Sequence, residues 1–378
     1  MNKERNSSFE LLRIISMLAI IFIHISIHGQ VNLHTSGVTL NIINYLLIFS
    51  SALVNTFVLI TGYFQCEKNI KLKNIFKLNN AMWFYSVVIC TIMFIFDLSV
   101  VHPITKLDLA QSYLPIQFGG YWFTKMYLVL YIISPFINCA LNNSTQKRHF
   151  SYIVIGIILF SILPMCTNNL FYDNGRGFTI ENFILLYIIG AYLKKYPINK
   201  SRLLGVYSKS KINVILLFTA FFLLTFNFLL YKLGISLPAG GGILGYMHTV
   251  FSKFFTAYCN PFIIIGSICI FSVFSQMNIK SKFINKIGGL MFGVYLIHEF
   301  TYLNDVLYSW FGFANINGVG YIAETNILVF VRIIIVALII FIGCTLIEFI
   351  RQFIFKFIYD RKISEKCRNK FYEYLKNF

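Results

Sequence analysis

The chain has 378 residues, of which 57% are hydrophobic and 12% are charged, and its formal net charge is +18. Its mean hydropathy is +0.71. Soluble domains carry about 25% charged residues, so this composition excludes a soluble globular protein. It predicts an all-α polytopic membrane protein, because helices satisfy their own backbone hydrogen bonds in lipid.

Apolar segments recur from one end of the chain to the other. We predict about ten transmembrane helices, each close to the roughly 20 residues needed to cross the hydrocarbon core. The predicted spans are 9–28, 40–64, 76–97, 119–141, 149–167, 178–196, 212–232, 258–277, 285–310 and 325–350. Segment 243–256 is expected to be an additional interfacial or re-entrant piece. Residues 1–352 would form one integral membrane domain, followed at 353–378 by a basic amphipathic tail on the anionic inner leaflet.

The distribution of basic residues predicts the orientation of these spans. Of the 32 lysines and arginines, 25 fall in the termini and alternate loops on one side, four fall on the opposite side, and three lie within spans. Cytoplasmic segments of membrane proteins carry such an excess. We therefore predict that both termini are cytoplasmic and that the chain is a multi-pass protein of the cell membrane. The same asymmetry accounts for the net charge, so no nucleic acid partner is expected.

The first predicted span carries ionisable residues that a simple anchor does not need. Arg13 and His24 are separated by ten residues. Because a helix advances about 100° per residue, they lie within roughly 20° of each other and roughly 16 Å apart along the axis. Ionisable groups at membrane depth are costly and by default indicate function. This shared face suits a ligand that lies along the helix. Taken separately, Arg13 could be an interfacial anchor and His24 a hydrogen-bonded core histidine.

Other spans place polar residues at comparable depth. His298 is predicted about 18 Å into its span, at a level similar to that of His24. Glu299 and Arg332 are expected at matching depths in neighbouring spans, where a pair would lessen the cost of burying both. Such a pair could be structural or could bind substrate. Trp122 begins the fourth span and is either an interfacial belt aromatic or a platform on which a sugar stacks.

Residue spacing also bears on whether the chain binds a metal ion or a phosphate group. His24 and His28 are four residues apart, as in some zinc sites, but no third ligand is evident, so no metal is expected and His28 is expected to be interfacial. Lys73 and Lys77 enter the third span from the predicted cytoplasmic side, where Arg13 also lies. They contribute to the positive-inside excess, and as point charges they are also suited to binding the phosphates of a cytosolic ligand.

Five ordered segments resemble one family. They are Phe9-Glu-Leu-Leu-Arg13 with His24, Thr56-Phe-Val-Leu-Ile-Thr-Gly-Tyr63, Trp122-Phe-x-x-x-Tyr127-Leu-x-Leu-Tyr-x-x-Ser-Pro135, Tyr187-Ile-Ile-Gly-Ala-Tyr-Leu193 and Gly293-Val-Tyr295-Leu-Ile-His298. The first resembles the R-x10-H opening of the membrane-bound acyltransferase family 3, and the set is spread over about residues 1–350. The chain is most similar to members that act on bacterial capsule or exopolysaccharide.

The resemblance implies transfer of an acyl group, usually acetyl from cytosolic acetyl-CoA, to a sugar hydroxyl at the outer side of the membrane. By this resemblance, the family's R-x10-H residues correspond to Arg13 and His24. Many members have arginines at the start of the third span, where this chain has lysines, and lysine lacks the bidentate fork of arginine. We expect His24 and His298 at the catalytic centre. Arg13, Lys73 and Lys77 would hold the donor, an acetyl-CoA or another acyl-CoA. The side chains expected to contact the glycan or lipid-linked glycan acceptor are Trp122, Tyr127, Tyr295, Glu299 and Arg332.

Two other functions remain open at this point. A transporter or flippase for a lipid-linked glycan would use a similar aromatic and polar cavity without chemistry, and an inverted repeat, of which none is evident, would favour it. A membrane glycan polymerase would be expected to carry large outer loops rich in arginine, whereas the predicted outer loops hold four basic residues. The stripe of Arg13 and His24 favours a cytosolic anionic donor over both.

Overall fold

Helices are the only regular elements in the part of the chain that the computed structural model describes, which comprises residues 5–99, 103–167, 175–201, 204–313 and 326–359. The α-helices in chain order are α1 Ser7–His28, α2 Val31–His34, α3 Gly37–Gln65, α4 Leu72–Ile95, α5 Lys106–Ser112, α6 Trp122–Asn142, α7 Gln146–Ile157, α8 Leu163–Thr167, α9 Ile180–Lys195, α10 Lys209–Ser236, α11 Gly242–Phe254, α12 Pro261–Gln276, α13 Lys282–Gly288, α14 Met291–His298, α15 Thr301–Trp310 and α16 Asn326–Tyr359. A π-helical turn joins α7 to α8.

Within the described residues, seven helices are long and apolar enough to cross a membrane, and each overlaps a predicted span. They are α1, α3, α4, α6, the continuous segment Gln146–Thr167, α10 and the stretch Ile327–Lys356 of α16. Helices α9 and α12 coincide with two further predicted spans but have 16 residues each, a length of about 24 Å. The predicted interfacial piece 243–256 corresponds to α11.

The prediction of one continuous helix over 285–310 is wrong. The chain there forms α13, α14 and α15, with breaks at Gly289 and at Glu299–Phe300. The first break falls at consecutive glycines, Gly288 and Gly289, which are poor helix formers. The second break follows His298 directly, so the histidine and the glutamate after it lie at a helix end rather than on one regular face. The predicted domain boundary at residue 353 falls inside α16, and residues 360–378 of the predicted tail lie outside the described residues.

Helix α1 lies between two hydrophobic cores. Phe9 and Leu12, near its beginning, pack in a core built mainly from α3, α9, α10 and α12. Met17, Ile21 and Ile25, further along, pack in a core with α4, α14, α15 and α16. The stripe that carries Arg13 and His24 is therefore surrounded by protein over much of its length.

Small residues allow α3 and α9 to approach closely. A Cβ atom added to Gly62 would meet the backbone of Tyr187, and one added to Gly190 would meet the carbonyl of Leu59. Close approach of this kind at glycine is a common packing mode of membrane helices. Tyr187 also donates a hydrogen bond of 2.8 Å from its hydroxyl to Asn138 of α6, which joins a third helix to the pair.

Short helices surround the end of the bundle at which α1 finishes. The hydroxyl of Tyr121, at the start of α6, donates to the carbonyl of Leu296 in α14 at 2.9 Å. Tyr302 of α15 donates to Asp108 of α5 at 2.8 Å. The hydrogen bond from the Thr105 hydroxyl lowers the pKa of the Asp108 carboxyl and completes a capping box at the start of α5. These contacts hold α5, α6 and α15 around the residues described next.

Candidate active site

Two predicted histidines and a glutamate meet where α1 and α14 pack together. Nδ1 of His24 lies 3.1 Å from Nε2 of His298, in a buried hydrogen bond. Oε2 of Glu299 lies 2.8 Å from the same His24 nitrogen. His298 is fully buried, and the side chains of His24 and Glu299 are 11% and 10% exposed. His24 and His298, which the sequence predicted at similar depth, are therefore in direct contact.

The hydrogen-bond chain sets the tautomer of a neutral His24. Nδ1 of His298 lies 2.6 Å from the carbonyl oxygen of Val294, which can only accept, so this nitrogen carries the proton. Nε2 of a neutral His298 is then an acceptor, and Nδ1 of His24 must be the donor. Glu299 approaches that nitrogen away from the N–H direction, since its Oε2 has no aligned hydrogen-bond donor among the described residues. Nε2 of neutral His24 consequently holds a lone pair, as a general base or nucleophile requires.

His28, which was expected at the membrane interface, also contacts this cluster. Its Nε2 lies 3.8 Å from Oε2 of Glu299, and its side chain is 35% exposed. Its ring is stacked on Tyr308 of α15 at a centroid distance of 6.1 Å. The carboxylate of Glu299 therefore faces two imidazoles, one almost enclosed and one open to the surroundings.

The predicted pair of Glu299 and Arg332 is not formed. The ion pairs of Glu299 are with the two histidines of α1. The guanidinium of Arg332, on α16, lies 4.7 Å from the centroid of the Phe313 ring. The prediction failed because α14 ends at His298, which turns the Glu299 side chain towards α1 instead of α16.

The predicted aromatic residues form a series that reaches the histidines. The ring of Tyr295 lies 6.2 Å from that of His298, and Phe123 lies 6.0 Å from Tyr295. Phe123 is in turn in contact with Trp122 at 5.6 Å and stacked on Tyr127 at 6.4 Å. Trp122 also packs against Phe178 and Tyr258, at 4.4 and 6.0 Å. Trp122 is thus part of an aromatic cluster beside the site.

Arg13 lies at the other end of α1 and is paired. Its Nη1 contacts Oε1 of Glu10 at 2.6 Å, and its side chain is 29% exposed. Glu10 is buried and also has Arg5 at 3.5 Å. The three residues together carry a net charge of +1. An anion that binds Arg13 would therefore share the guanidinium with the carboxylate of Glu10.

Lys73 and Lys77 are separate from this cluster in the structure. Both are exposed on α4, which packs against α5, α14 and α15. No hydrogen bond or ion pair between described residues joins them to Arg13. Arg13, Lys73 and Lys77 therefore lie at the same end of the bundle but do not form a side-chain cluster.

The ring nitrogens and the carboxylate oxygen of this cluster could also ligate a metal ion. The ligand atoms of His24, His298 and Glu299 all lie within 4.8 Å of one another. Tetrahedral zinc, with bonds of about 2.0–2.1 Å to nitrogen, separates its ligands by about 3.3 Å. The 3.1 Å contact between the two histidines is instead typical of direct hydrogen bonding. A metal-free site therefore stays our prediction.

Comparison with known proteins identifies the family. The sequence model of acyltransferase family 3, described as an acyltransferase domain, matches residues 6–348. The chain belongs to acyltransferase family 3. No curated protein and no solved structure matches the chain. Membership and the seven apolar helices together make the chain a multi-pass membrane protein of an enzyme family that transfers acyl groups.

The range matched by the family model includes Arg13, His24 and His298. His24 and His298 were expected at the catalytic centre from the sequence. The contact of Glu299 with His24 and the presence of His28 and Tyr308 beside it were not expected. One signal was available for Glu299, because it follows His298 directly in sequence. No comparable signal existed for Tyr308, which reaches His28 only because α15 turns back after the break.

Proposed function

We propose that this family member transfers an acyl group, with acetyl as the simplest case, from a cytosolic acyl-CoA to a hydroxyl of a cell-surface polysaccharide or its lipid-linked precursor. The acceptor would react at the outer side of the plasma membrane. The observation that carries the proposal is the pairing of His24 with His298 and Glu299 at one end of α1, on the same face as Arg13 roughly 16 Å away. A donor with an anionic end and a distant reactive thioester fits this separation.

His24 would act as the general base in direct transfer. Its Nε2 accepts the proton of the acceptor hydroxyl while the oxygen attacks the thioester carbonyl. Collapse of the tetrahedral intermediate breaks the carbon–sulfur bond, and the proton held by His24 passes to the CoA thiolate. The negative charge of Glu299, 2.8 Å from Nδ1, stabilises the imidazolium that exists between the two proton transfers.

The same nitrogen could instead carry the acyl group. In that case Nε2 attacks the thioester carbonyl, the carbon–sulfur bond breaks, and CoA leaves as the thiolate. The acceptor hydroxyl then takes the acyl group from the acylimidazolium, its proton passes to the thiolate, and neutral His24 is restored. Both routes use the lone pair on Nε2 and the same partners at Nδ1. They differ in whether an acylated enzyme accumulates when acceptor is withheld.

The aromatic series would bind the acceptor. Tyr295 lies beside His298, and Phe123 links it to Trp122 and Tyr127. Aromatic rings present flat apolar faces suited to sugar rings, and amphipathic aromatics are common at membrane interfaces. This arrangement favours an acceptor that approaches from the α6 side.

The proposal is tested on cells and on purified protein. We expect a deletion strain to lose acyl esters from its surface glycan by NMR and a plasmid copy to restore them. Purified protein in vesicles should release free CoA thiol from acetyl-CoA only when the glycan acceptor is present. Restoration by the His149→Gln variant but not by His24→Gln would identify the site. His149 is the matched control because it is another buried histidine whose Nε2 contacts a backbone carbonyl, that of Ile188. Full acylation of the glycan in the deletion strain would contradict the proposal.

A further inference from the structure

A cleft opens at the end of the bundle where α1 begins. Its volume is about 370 Å³, and its lining includes Tyr63, Lys200, Lys209, Gln276, Met277 and Asn278. These residues come from the end of α3, the segment before α10, the start of α10 and the end of α12. A volume of this size is within the range of small-molecule sites.

The charged groups in the lining are all cationic. They are Lys200 and Lys209, both exposed, and no carboxylate is among the described residues that line the cleft. A third lysine, Lys194, lies 4.9 Å from the centroid of the Tyr63 ring. Lysine is a common phosphate binder that acts as a point charge. The cleft therefore favours a small anion with several negative groups.

One residue that lines the cleft, Gln276, has a polar atom that is buried behind the cleft surface and lacks a partner. The side-chain oxygen Oε1 of Gln276 is buried and has no hydrogen-bond donor among the described residues, whereas its Nε2 donates to the carbonyl of Ser272 at 3.1 Å. A buried acceptor without a donor costs free energy, so such a group is commonly completed by a ligand or by water. The ligand that suits this cleft combines phosphates with hydrogen-bond donors.

The cleft is coupled to α1. The hydroxyl of Ser8 donates to the carbonyl of Met277 at 3.0 Å and accepts from the amide of Ile279 at 3.2 Å. Phe9 packs against Tyr63 at 5.1 Å. Arg13 is five residues after Ser8, roughly 7.5 Å further along the helix. A ligand in the cleft would thus begin beside the first turn of the helix that ends at His24.

We propose that this cleft binds the nucleotide part of the donor, an adenosine bearing a diphosphate and a further ribose phosphate. The inference rests on the proposed function, because it assumes an acyl-CoA donor. Lys200 and Lys209 bind the phosphates. The side chain of Gln276, whose oxygen is buried in the free cleft, turns towards the ligand and accepts a hydrogen bond from the base or the ribose. The pantetheine arm then leaves the cleft past the beginning of α1. This assignment places the nucleotide on the α3, α10 and α12 side of the bundle, away from Lys73 and Lys77 on α4.

The test compares donors with and without the nucleotide. Replacing both cleft lysines, Lys200→Ala with Lys209→Ala, should raise the KM for acetyl-CoA at least tenfold with kcat nearly unchanged. The KM for acetyl-pantetheine, which lacks the nucleotide, should not change. The matched control is Lys147→Ala with Lys211→Ala, two exposed lysines at the same end of the bundle that do not line the cleft. An unchanged KM for acetyl-CoA, or an equal rise for both donors, would overturn the assignment. A rise produced by Lys73→Ala with Lys77→Ala but not by the cleft variant would also overturn it.

A binding measurement separates this inference from the proposed function. Radiolabelled adenosine 3′,5′-bisphosphate should bind the purified wild-type protein and should bind the cleft variant at least tenfold more weakly. Gln276→Leu, which removes the unpartnered oxygen, should weaken binding severalfold. If wild-type protein bound the nucleotide through these residues but turned over no acyl-CoA, the proposed function would fail while the nucleotide site stood. If it turned over acyl-CoA with the nucleotide bound independently of these residues, the cleft assignment alone would fail.

Discussion

Oε2 of Glu299 lies 2.8 Å from Nδ1 of His24, although the hydrogen on that nitrogen is directed to Nε2 of His298. The carboxylate therefore acts on His24 through its charge more than through an aligned hydrogen bond. Glu299→Gln keeps the size of the side chain and removes the charge. We expect it to lower kcat roughly 10- to 100-fold, a loss of about 1.4–2.8 kcal/mol of transition-state stabilisation. Release of CoA thiol by purified protein would measure it.

The control for this change is the partly exposed carboxylate Asp108, which lies on α5 near α15 and has no hydrogen bond or ion pair with the histidines among the described residues. Asp108→Asn should leave kcat within twofold of wild type. If Glu299→Gln were as active as Asp108→Asn, the negative charge would have no part in the reaction, and Glu299 would only fill space beside His24.

A second prediction concerns the nitrogen that holds the lone pair. His24→Gln can keep a hydrogen bond to His298 but cannot transfer a proton or carry an acyl group, so acyl transfer should fall by roughly 10²–10⁴-fold. His298→Gln should be less severe, because His298 orients His24 through Nδ1 rather than acting at the reacting atom. Transfer rates would be compared at equal amounts of folded protein, as judged by gel filtration in detergent.

The same assay addresses the metal alternative. Because we expect a metal-free site, prolonged dialysis against a chelator should leave the wild-type rate unchanged, and elemental analysis should find no stoichiometric zinc. A rate that falls on chelation and returns with added zinc would assign His24, His298 and Glu299 to a metal instead.

Near-normal transfer by His24→Gln would exclude both proton transfer and acyl carriage at this residue.

The sequence predicted some of this site and missed other parts for identifiable reasons. The level of His24 follows from the rise per residue of α1, which is one regular helix up to that residue. The chain before His298 is broken between α13 and α14, so the level of His298 does not follow from one regular helix. The partner of Glu299 depends on where α14 ends. The hydrophobicity of a segment does not show where a helix breaks within it. The same limit applies to 285–310, which has the composition of one span but forms three helices.

The glycines of the family-like segments lead to a third prediction. Gly190→Ala would place a methyl group against the carbonyl of Leu59, in backbone that cannot easily move. Overpacking of this kind costs about 1–3 kcal/mol, so the midpoint of thermal unfolding in detergent should fall by several degrees. Gly343→Ala is the matched control, because it lies within a helix with open space around the added Cβ. Equal midpoints for the two variants would show that α3 and α9 do not depend on close approach at Gly190.

The predicted orientation can be tested with single cysteines. Asn32→Cys and Gly241→Cys should react with an impermeant maleimide in intact cells, whereas Asn199→Cys should react only after permeabilisation, and a reporter fused after Phe378 should be cytoplasmic. The background needs Cys139 and Cys166 replaced by serine, since both are exposed. Cys66 can remain, because burial raises the pKa of its thiol and so lowers its reactivity. Labelling of residue 199 in intact cells would invert the proposed direction of transfer.

The last prediction concerns the pair of Arg13 and Glu10, which are 2.6 Å apart. Arg13→Ala should weaken binding of a nonhydrolysable acyl-CoA more than Arg13→Lys, because lysine keeps the charge but not the fork. Loss of one charge-assisted contact should cost roughly 1.5–3 kcal/mol of binding free energy. Arg13→Ala also leaves a buried carboxylate with Arg5 alone, so part of any defect could come from Glu10.

Glu10→Gln separates these two effects. If Arg13 binds the donor, the double variant Glu10→Gln with Arg13→Ala should fold as well as wild type but still bind acyl-CoA weakly. Glu10→Gln alone should bind the donor at least as tightly as wild type, because the guanidinium no longer shares its charge with a carboxylate. Recovery of full donor affinity in the double variant would mean that Arg13 serves only to neutralise Glu10. The R-x10-H pair would then have one functional member, His24, and the donor phosphates would be held elsewhere.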